Sequence, residues 1–356
     1  MLAFFFNFYT MKQIKIFLSL LLLPLWIVLI TLKKNPQWVE FYYSNGLYPK
    51  LFLIKDFFFN KIPFSVGDLF YSAAIILIII AVVKWIKKPK KKFLPSLLNL
   101  TSGISVLLLF FHFSWGFNYY RTPLNEALNY DLKYTEKALI KTLNTLIKTS
   151  NTLHSELAEN DSLAVIFPYS NTQLNSMIIK DYRIGEQKEL IQPGVKASLW
   201  STLLSYMGYA GYLNPFTLES QVNSGIPKIS LITTMAHEMA HQVGYAAENE
   251  ANFIAFMNTV QNEDPYIQYA GYTFGLRYCY YELSKVNRER ASEEIKSIHP
   301  GILKNFSEIR DFWVSYENPF EPVLKIGYDS YLKANGQKSG IQSYNEMVAY
   351  VINYIN

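Results

Sequence analysis

The stretch His237-Glu-Met-Ala-His-Gln-Val-Gly-Tyr-Ala-Ala-Glu-Asn-Glu-Ala-Asn252 decides how the chain is read. It contains His-Glu-x-x-His, a spacing associated with zinc on a helix. His237 and His241 are four residues apart and stack on one helical face, so two imidazoles can share one ion. Glu238 follows the first histidine and points to the side of the pair. From there it can reach a water on the metal without taking a coordination position, as a general base must.

A catalytic zinc takes three protein ligands and leaves one position open. Gly244 can end the first helix in a left-handed turn, and the chain can double back into a second helix. Glu248 and Glu250 then compete for the third position. They lie about 200° apart on a helix, so only one can face the ion. Phe253, Ile254, Phe256, Met257 and Val260 form an apolar stripe at helical spacing, and Glu250 falls on it. A carboxylate on a buried face is costly unless paired or metal-bound. The expectation is therefore Glu250 as the third ligand, with Glu248 beside the site or at the surface. Chance matches to five fixed letters occur, but two of only five histidines fall in this motif.

Working outward, the 356 residues are half hydrophobic, and the charges are uneven. Residues 1–120 hold 13 Lys/Arg against 3 Asp/Glu, and the remainder 20 against 25. The basic pI of 8.9 is thus a property of membrane flanks, which argues against a nucleic acid partner. The single cysteine, Cys279, excludes an intrachain disulfide and a cysteine zinc site, and reads as a small buried hydrophobe.

Three apolar runs are expected to span a bilayer, at about 14–32, 64–86 and 97–117. The first starts after Met11, a candidate initiator. Thr31-Leu-Lys-Lys34 follows it in place of a small-residue cleavage site, so it reads as a retained anchor, and Pro24 can kink it. Residues 35–63 read as an aromatic loop lying on the bilayer. Lys84, Lys87, Lys88, Lys90, Lys91 and Lys92 between the second and third runs mark the cytoplasmic side. The amino terminus is then cytoplasmic, and everything after Tyr119 lies outside. His112, near the end of the third run, reads as an interfacial polar group.

Residues 121–356 read as one mainly helical (α+β) domain following the 1–120 membrane domain. Leu139, Leu143, Leu146, Ile147 and Leu153 predict a helix capped by Thr135. A short strand is expected at Leu163–Phe167, and extended strands or a hairpin over 205–223, whose edge could hold a peptide. Ser230 or Thr233 is expected to cap the histidine helix. Tyr266–Leu283 predicts a further helix, with Tyr269, Tyr272, Arg277 and Tyr278 as candidate donors to a developing oxyanion. For each of them, core packing is the competing role. Helices over 328–333 and 344–354 are expected to flank a turn at 335–340.

Further stretches carry a resemblance: Asn35-Pro-Gln-Trp-Val-Glu40, Pro63-Phe-Ser-Val-Gly-Asp68, Trp115-Gly-Phe-Asn-Tyr-Tyr120 and Asn214-Pro-Phe-Thr217. With the histidine stretch, they resemble an uncharacterised family of bacterial inner-membrane proteins, a domain of unknown function within the wider zincin clan. Glu250-Ala-Asn-Phe253 is similar to the Glu-Ala-Asn run of ImmA/IrrE-type metallopeptidases, where the glutamate accompanies the histidine pair. The chain departs from metzincins, which would need a histidine at Ala247. The resemblance implies a zincin-like ectodomain, periplasmic and multi-pass anchored in the inner membrane.

The expected function is a membrane-anchored zinc metallopeptidase hydrolysing a peptide or protein substrate outside the cytoplasm. Zn2+ would sit on His237, His241 and Glu250, with Glu238 as base on a zinc-bound water. The alternative is a catalytically silent envelope sensor or scaffold stapled by zinc. An intramembrane protease is set aside, because no long apolar run encloses the histidines.

Overall fold

The computed structural model describes residues 2–59, 61–87, 93–183 and 191–356, and their side chains except those of residues 2–10, 93 and 94. The protein is mostly helical, with one small sheet. Met11–Lys33, Val66–Ile86 and Pro95–Ser114 are long and apolar enough to cross a membrane. The 21 residues of Val66–Ile86 extend over about 31 Å, the thickness of a hydrocarbon core. Little of these helices is buried within the protein, and the side chains of Ile75 to Ile80 are exposed all around. Such surface is stable against lipid, not water. The first helix breaks at Leu21, where Pro24 supplies no N–H to the carbonyl of Leu20. Ser19 and Thr101 share a hydrogen bond between the first and third helices. Lys84 and Lys87 stand at the end of the second helix away from Val66, while Lys88, Lys90, Lys91 and Lys92 lie outside the described residues.

The 35–63 stretch is helical rather than a surface loop. It runs through Pro36–Trp38, a π-helix at Val39–Leu47 and a helix at Tyr48–Phe59. The wide π turn collects Val39, Tyr43, Ser44 and Tyr48 on an inward face and leaves Phe41 and Tyr42 outside. With aromatics on both faces, no period was visible in the sequence. The Tyr48 hydroxyl donates to the Gln242 carbonyl at 2.6 Å, and Ser44 donates to Asn118 Oδ1. Glu40 pairs with both Nε and Nη2 of Arg121. This segment therefore ties the membrane helices to the rest of the chain.

Beyond it, the helix Glu136–Leu157 buries the predicted stripe of Leu139, Leu143, Leu146, Ile147 and Leu153. Thr135 caps it by accepting from the Ala138 N–H. It packs on Pro265–Val286, which carries the fully buried Cys279. Helices at Glu321–Ala334 and Met347–Ile355 close the domain.

The sheet has the order β1(Val195–Ala197), β3(Ser220–Val222), β2(Gly211–Leu213). β1 runs parallel to β3, and β2 runs antiparallel with Tyr212 opposite Gln221. The expected hairpin is thus present from 211 to 222, but 201–207 is a helix ended by Gly208. No strand forms at 163–167, because the Val165 N–H and carbonyl are both served by the Asn305 side-chain amide. A side chain replaces the strand partner there.

The second membrane helix is keyed into this sheet by Asp68 in its first turn. The fully buried carboxylate accepts from Tyr212 Oη, Ser198 Oγ and the Leu199 N–H. One residue earlier, the Gly67 N–H donates to Glu219, which also pairs with Lys196.

Candidate metal centre

The histidine helix runs from Lys228 to Gln242 and is almost wholly buried. Pro227 precedes it with no side-chain cap, so neither Ser230 nor Thr233 plays that role; Thr233 instead donates back to the Ser230 carbonyl within the helix. Gly244, at φ +99, closes the helix, with the Tyr245 N–H returning to the Ala240 carbonyl. That left-handed turn suits glycine because it lacks a Cβ. The chain reverses and starts the next helix at Glu248, running to Val260.

The reversal brings Glu248 to the histidines and turns Glu250 away. Glu248 Oε2 lies 3.2 Å from His237 Nε2 and 3.3 Å from His241 Nε2. These three buried side chains form a group able to hold a metal ion. Glu250 Oε1 instead accepts the Leu124 N–H at 2.7 Å. The structure therefore groups Glu248 with the histidines, in place of the expected Glu250. The premise of that expectation was that burial marks the metal-facing side. The helix is buried all round, with Glu248 and Glu250 at 3% and 5% exposure, so burial does not discriminate. The metal-facing side is carried by Glu248 and Asn252, one turn apart. Their i, i+4 spacing was the signal in the sequence.

Both imidazoles have their outer nitrogen occupied. His237 Nδ1 lies 2.9 Å from Asn252 Oδ1, and His241 Nδ1 lies 2.7 Å from the Tyr245 carbonyl. Asn252 Nδ2 donates to the Tyr344 carbonyl and to Tyr278 Oη, which orients the amide with its oxygen toward His237. These acceptors hold protons on both Nδ1 atoms and turn both Nε2 atoms toward Glu248. Without a metal, a proton on His241 Nε2 serves the carboxylate; a divalent cation would take its place. Bonds of ~2.0–2.1 Å in a tetrahedral zinc site give ligand-to-ligand edges of about 3.3 Å, and both His–Glu248 separations match that. Glu248 Oε2 has no hydrogen-bond partner, and neither does Glu238 Oε2. The residues therefore fit a divalent ion.

The charges agree. Burial would raise Glu248, but the two imidazoles outweigh it and hold the carboxyl well below the usual range. Burial would lower His241, yet Glu248 raises it to about 9. Glu238 is pushed up to about 8 by burial, with His241 opposing and Glu248 adding to the rise. Glu250 is pushed up to about 7 by burial, against the Leu124 N–H and Arg121. Glu238, raised by burial beside Glu248, is the acid short of positive charge, which a divalent cation would supply.

Glu238 lies under β2. A Cβ on Gly211 would come within 2.7 Å of Glu238 Oε1, so the strand backbone passes directly over the carboxylate. The Glu238 carbonyl accepts from Ser220 Oγ on β3. A cavity of about 510 Å³ opens at this point, lined by His237, Glu238, His241, Glu248 and many aromatic rings.

Of the four oxyanion candidates, Arg277 and Tyr278 line the cavity. Tyr269 donates to Asn305 in the core, and Tyr272 packs on Phe256. Sequence reasoning missed the tyrosines of the closing helices. Tyr328 Oη donates to Glu248 Oε1 at 2.8 Å and lies 3.1 Å from Tyr344 Oη. The Tyr344 ring stacks on His237 at 6.0 Å. They come from some ninety residues downstream, where no motif marks them. His112 stacks on Phe117 and belongs to neither of the two histidine–carboxylate groups among the described residues.

The chain belongs to the family described as Protein of unknown function (DUF3810), which matches residues 43–352. Searches among curated proteins and among solved structures found no match.

Proposed function

We propose that the chain is a membrane-anchored, zinc-dependent hydrolase of peptide bonds with a zincin-like site. The observation that carries this reading is the convergence of His237 Nε2, His241 Nε2 and Glu248 Oε2, with the Nδ1 side of each imidazole held by Asn252 or the Tyr245 carbonyl. Zinc bound there supplies a Lewis acid that polarises a carbonyl and acidifies water. Glu238 takes a proton from the attacking water and delivers it to the leaving amine as the C–N bond breaks. Its raised proton affinity suits that exchange near neutral pH. The outer edge of β2, whose one strand neighbour among the described residues is β3, can align an extended peptide over Glu238. Arg277, Tyr278 and Tyr344 are among the cavity-lining donors that could meet negative charge on the carbonyl oxygen.

The site and the lysine-flanked end lie at opposite ends of the second membrane helix, since Asp68 is keyed to the sheet and Lys84 and Lys87 are at the far end. By the positive-inside rule, the domain is extracytoplasmic, in the bacterial inner membrane. The silent-staple reading is disfavoured by chemistry: structural zinc is closed by four protein ligands, whereas three converge here beside an open cavity. The test is metal analysis of the full chain in detergent, followed by a peptide-library digest with wild type and Glu238→Gln. Near one zinc at this site and cleavage lost in the variant are expected. Cleavage that survives Glu238→Gln removes the mechanism.

A further inference from the structure

We propose that the substrate is a polypeptide anchored in the same bilayer and cut within a few residues of the membrane surface; this rests on the hydrolase reading above. The site is built on the ends of the membrane helices. Trp115, the residue after the third span, donates its Nε1–H to the His241 carbonyl at 3.0 Å. Its ring lies 6.1 Å from the His241 ring, edge to face. Tyr71, in the second turn of the second span, lines the same cavity as the histidines.

The turn between β2 and β3 rests on the spans as well. The Pro215 carbonyl accepts from Ser114, and Phe216 packs on Phe70 and Phe110, one from each span. The strand edge that would align substrate is thus seated at the bilayer boundary. Most of the cavity wall is aromatic or aliphatic, which suits a chain emerging between lipid and water. An extended chain advances ~3.3–3.6 Å per residue, so a bond within about five residues of a span lies within about 17 Å of the bilayer, in reach of a site built on the span ends. A bond farther out would have to fold back toward the membrane. Anchoring both partners in one bilayer also raises their effective concentration.

The test compares membranes carrying the full-length wild type or Glu238→Gln, by mapping newly formed peptide termini. Glu238-dependent termini are expected within about five residues of spans or lipid anchors. A mapped sequence is then placed on single-span polypeptides at increasing distance from the span and co-reconstituted in liposomes. Cleavage is expected to fall at least about tenfold between a short spacer and one of about fifteen residues. Glu238-dependent cuts spread through soluble proteins, or indifferent to spacer length, overturn the proposal and leave the hydrolase reading standing. No Glu238-dependent cut anywhere removes both.

Independently, the geometry points to a second divalent-cation site, formed by His154, Asp161 and His299. His154 Nε2 is 2.8 Å from the Leu163 carbonyl, so its proton is there and its Nδ1 carries a lone pair. That Nδ1 is 3.3 Å from His299 Nδ1, which is 3.4 Å from Asp161 Oδ1. Both separations match edges of a tetrahedral site, about 3.3 Å. Gly301 passes so close to the buried His154 ring that a Cβ there would collide with it. His299 is half-buried and Asp161 exposed, with its Oδ1 also accepting from Ser155 Oγ, so the group faces solvent on one side. Imidazole with carboxylate suits zinc. Zinc content of the dialysed full chain is compared with that of His299→Ala and Asp161→Asn, with thermal melts to confirm folding. Loss of about one equivalent in each folded variant is expected. An unchanged zinc content in folded variants overturns the site.

Discussion

At the residue scale, the division of labour between Glu248 and Glu250 is the sharpest test of the site. Glu248→Gln should weaken zinc binding by more than the 10–100-fold typical of outer-shell changes, while Glu250→Gln should leave it nearly intact. Competition with a chelator separates the two. Asn252→Ala removes the group that orients His237 and should cost about 10–100-fold in zinc affinity. Proton uptake offers a second check. His241, raised to about 9 by Glu248 in the metal-free site, is protonated at neutral pH and must lose that proton to bind an ion. Zinc binding should therefore release about one proton at pH 7 and weaken as pH falls. Calorimetry in buffers of different ionisation enthalpy measures the release. The pair of histidines and Glu238 were legible from spacing alone. The third ligand was not, since two acids two residues apart could be separated only by knowing which face met the histidines.

At the scale of elements, the reversal at Gly244 sets Glu248 against the histidine pair. Gly244→Ala would put a side chain at φ +99, with its Cβ 3.2 Å from Asn118 Oδ1. A loss of about 1–3 kcal/mol in stability is expected, together with weaker zinc binding because Glu248 is displaced. Thermal melting with and without zinc separates these effects. Gly211→Ala on β2 acts differently, since its Cβ would push Glu238 Oε1 and the Gln221 carbonyl of β3, with neither histidine among its nearest contacts. Turnover should fall and zinc content should not. The glycine turn was readable from the sequence, as was the hairpin after 211. The strand expected at Val165 was not formed, because Asn305, 140 residues away, supplied its hydrogen bonds.

Across the whole molecule, the membrane helices and the domain are joined by buried polar contacts rather than by a linker. Arg121 bonds Glu40 and the Gly244 carbonyl at once, and Tyr48 and Trp115 both donate to carbonyls at the end of the histidine helix. A fragment of residues 121–356 loses Glu40, the carboxylate partner of Arg121, and Tyr48, the donor to the Gln242 carbonyl. It should melt lower than one starting at residue 35 in detergent, as circular dichroism can measure. Asp68→Asn weakens the tie between the second span and the sheet. Hydrogen bonds to a charged group contribute about 1.5–3 kcal/mol each, so a loss of at least that order is expected, read as faster limited proteolysis.

Spacing and composition by themselves determined three bilayer-length apolar helices, a helical domain and a histidine pair on one helical face with Glu238 beside it, because each is written in a local period. Tertiary structure alone decided which acid completes the site, which tyrosines surround it, and that the aromatic 35–63 segment is a packed helical brace. These depend on contacts between residues far apart in the chain, and burial on every side of the Glu248–Val260 helix erased the one-faced pattern that a sequence can display.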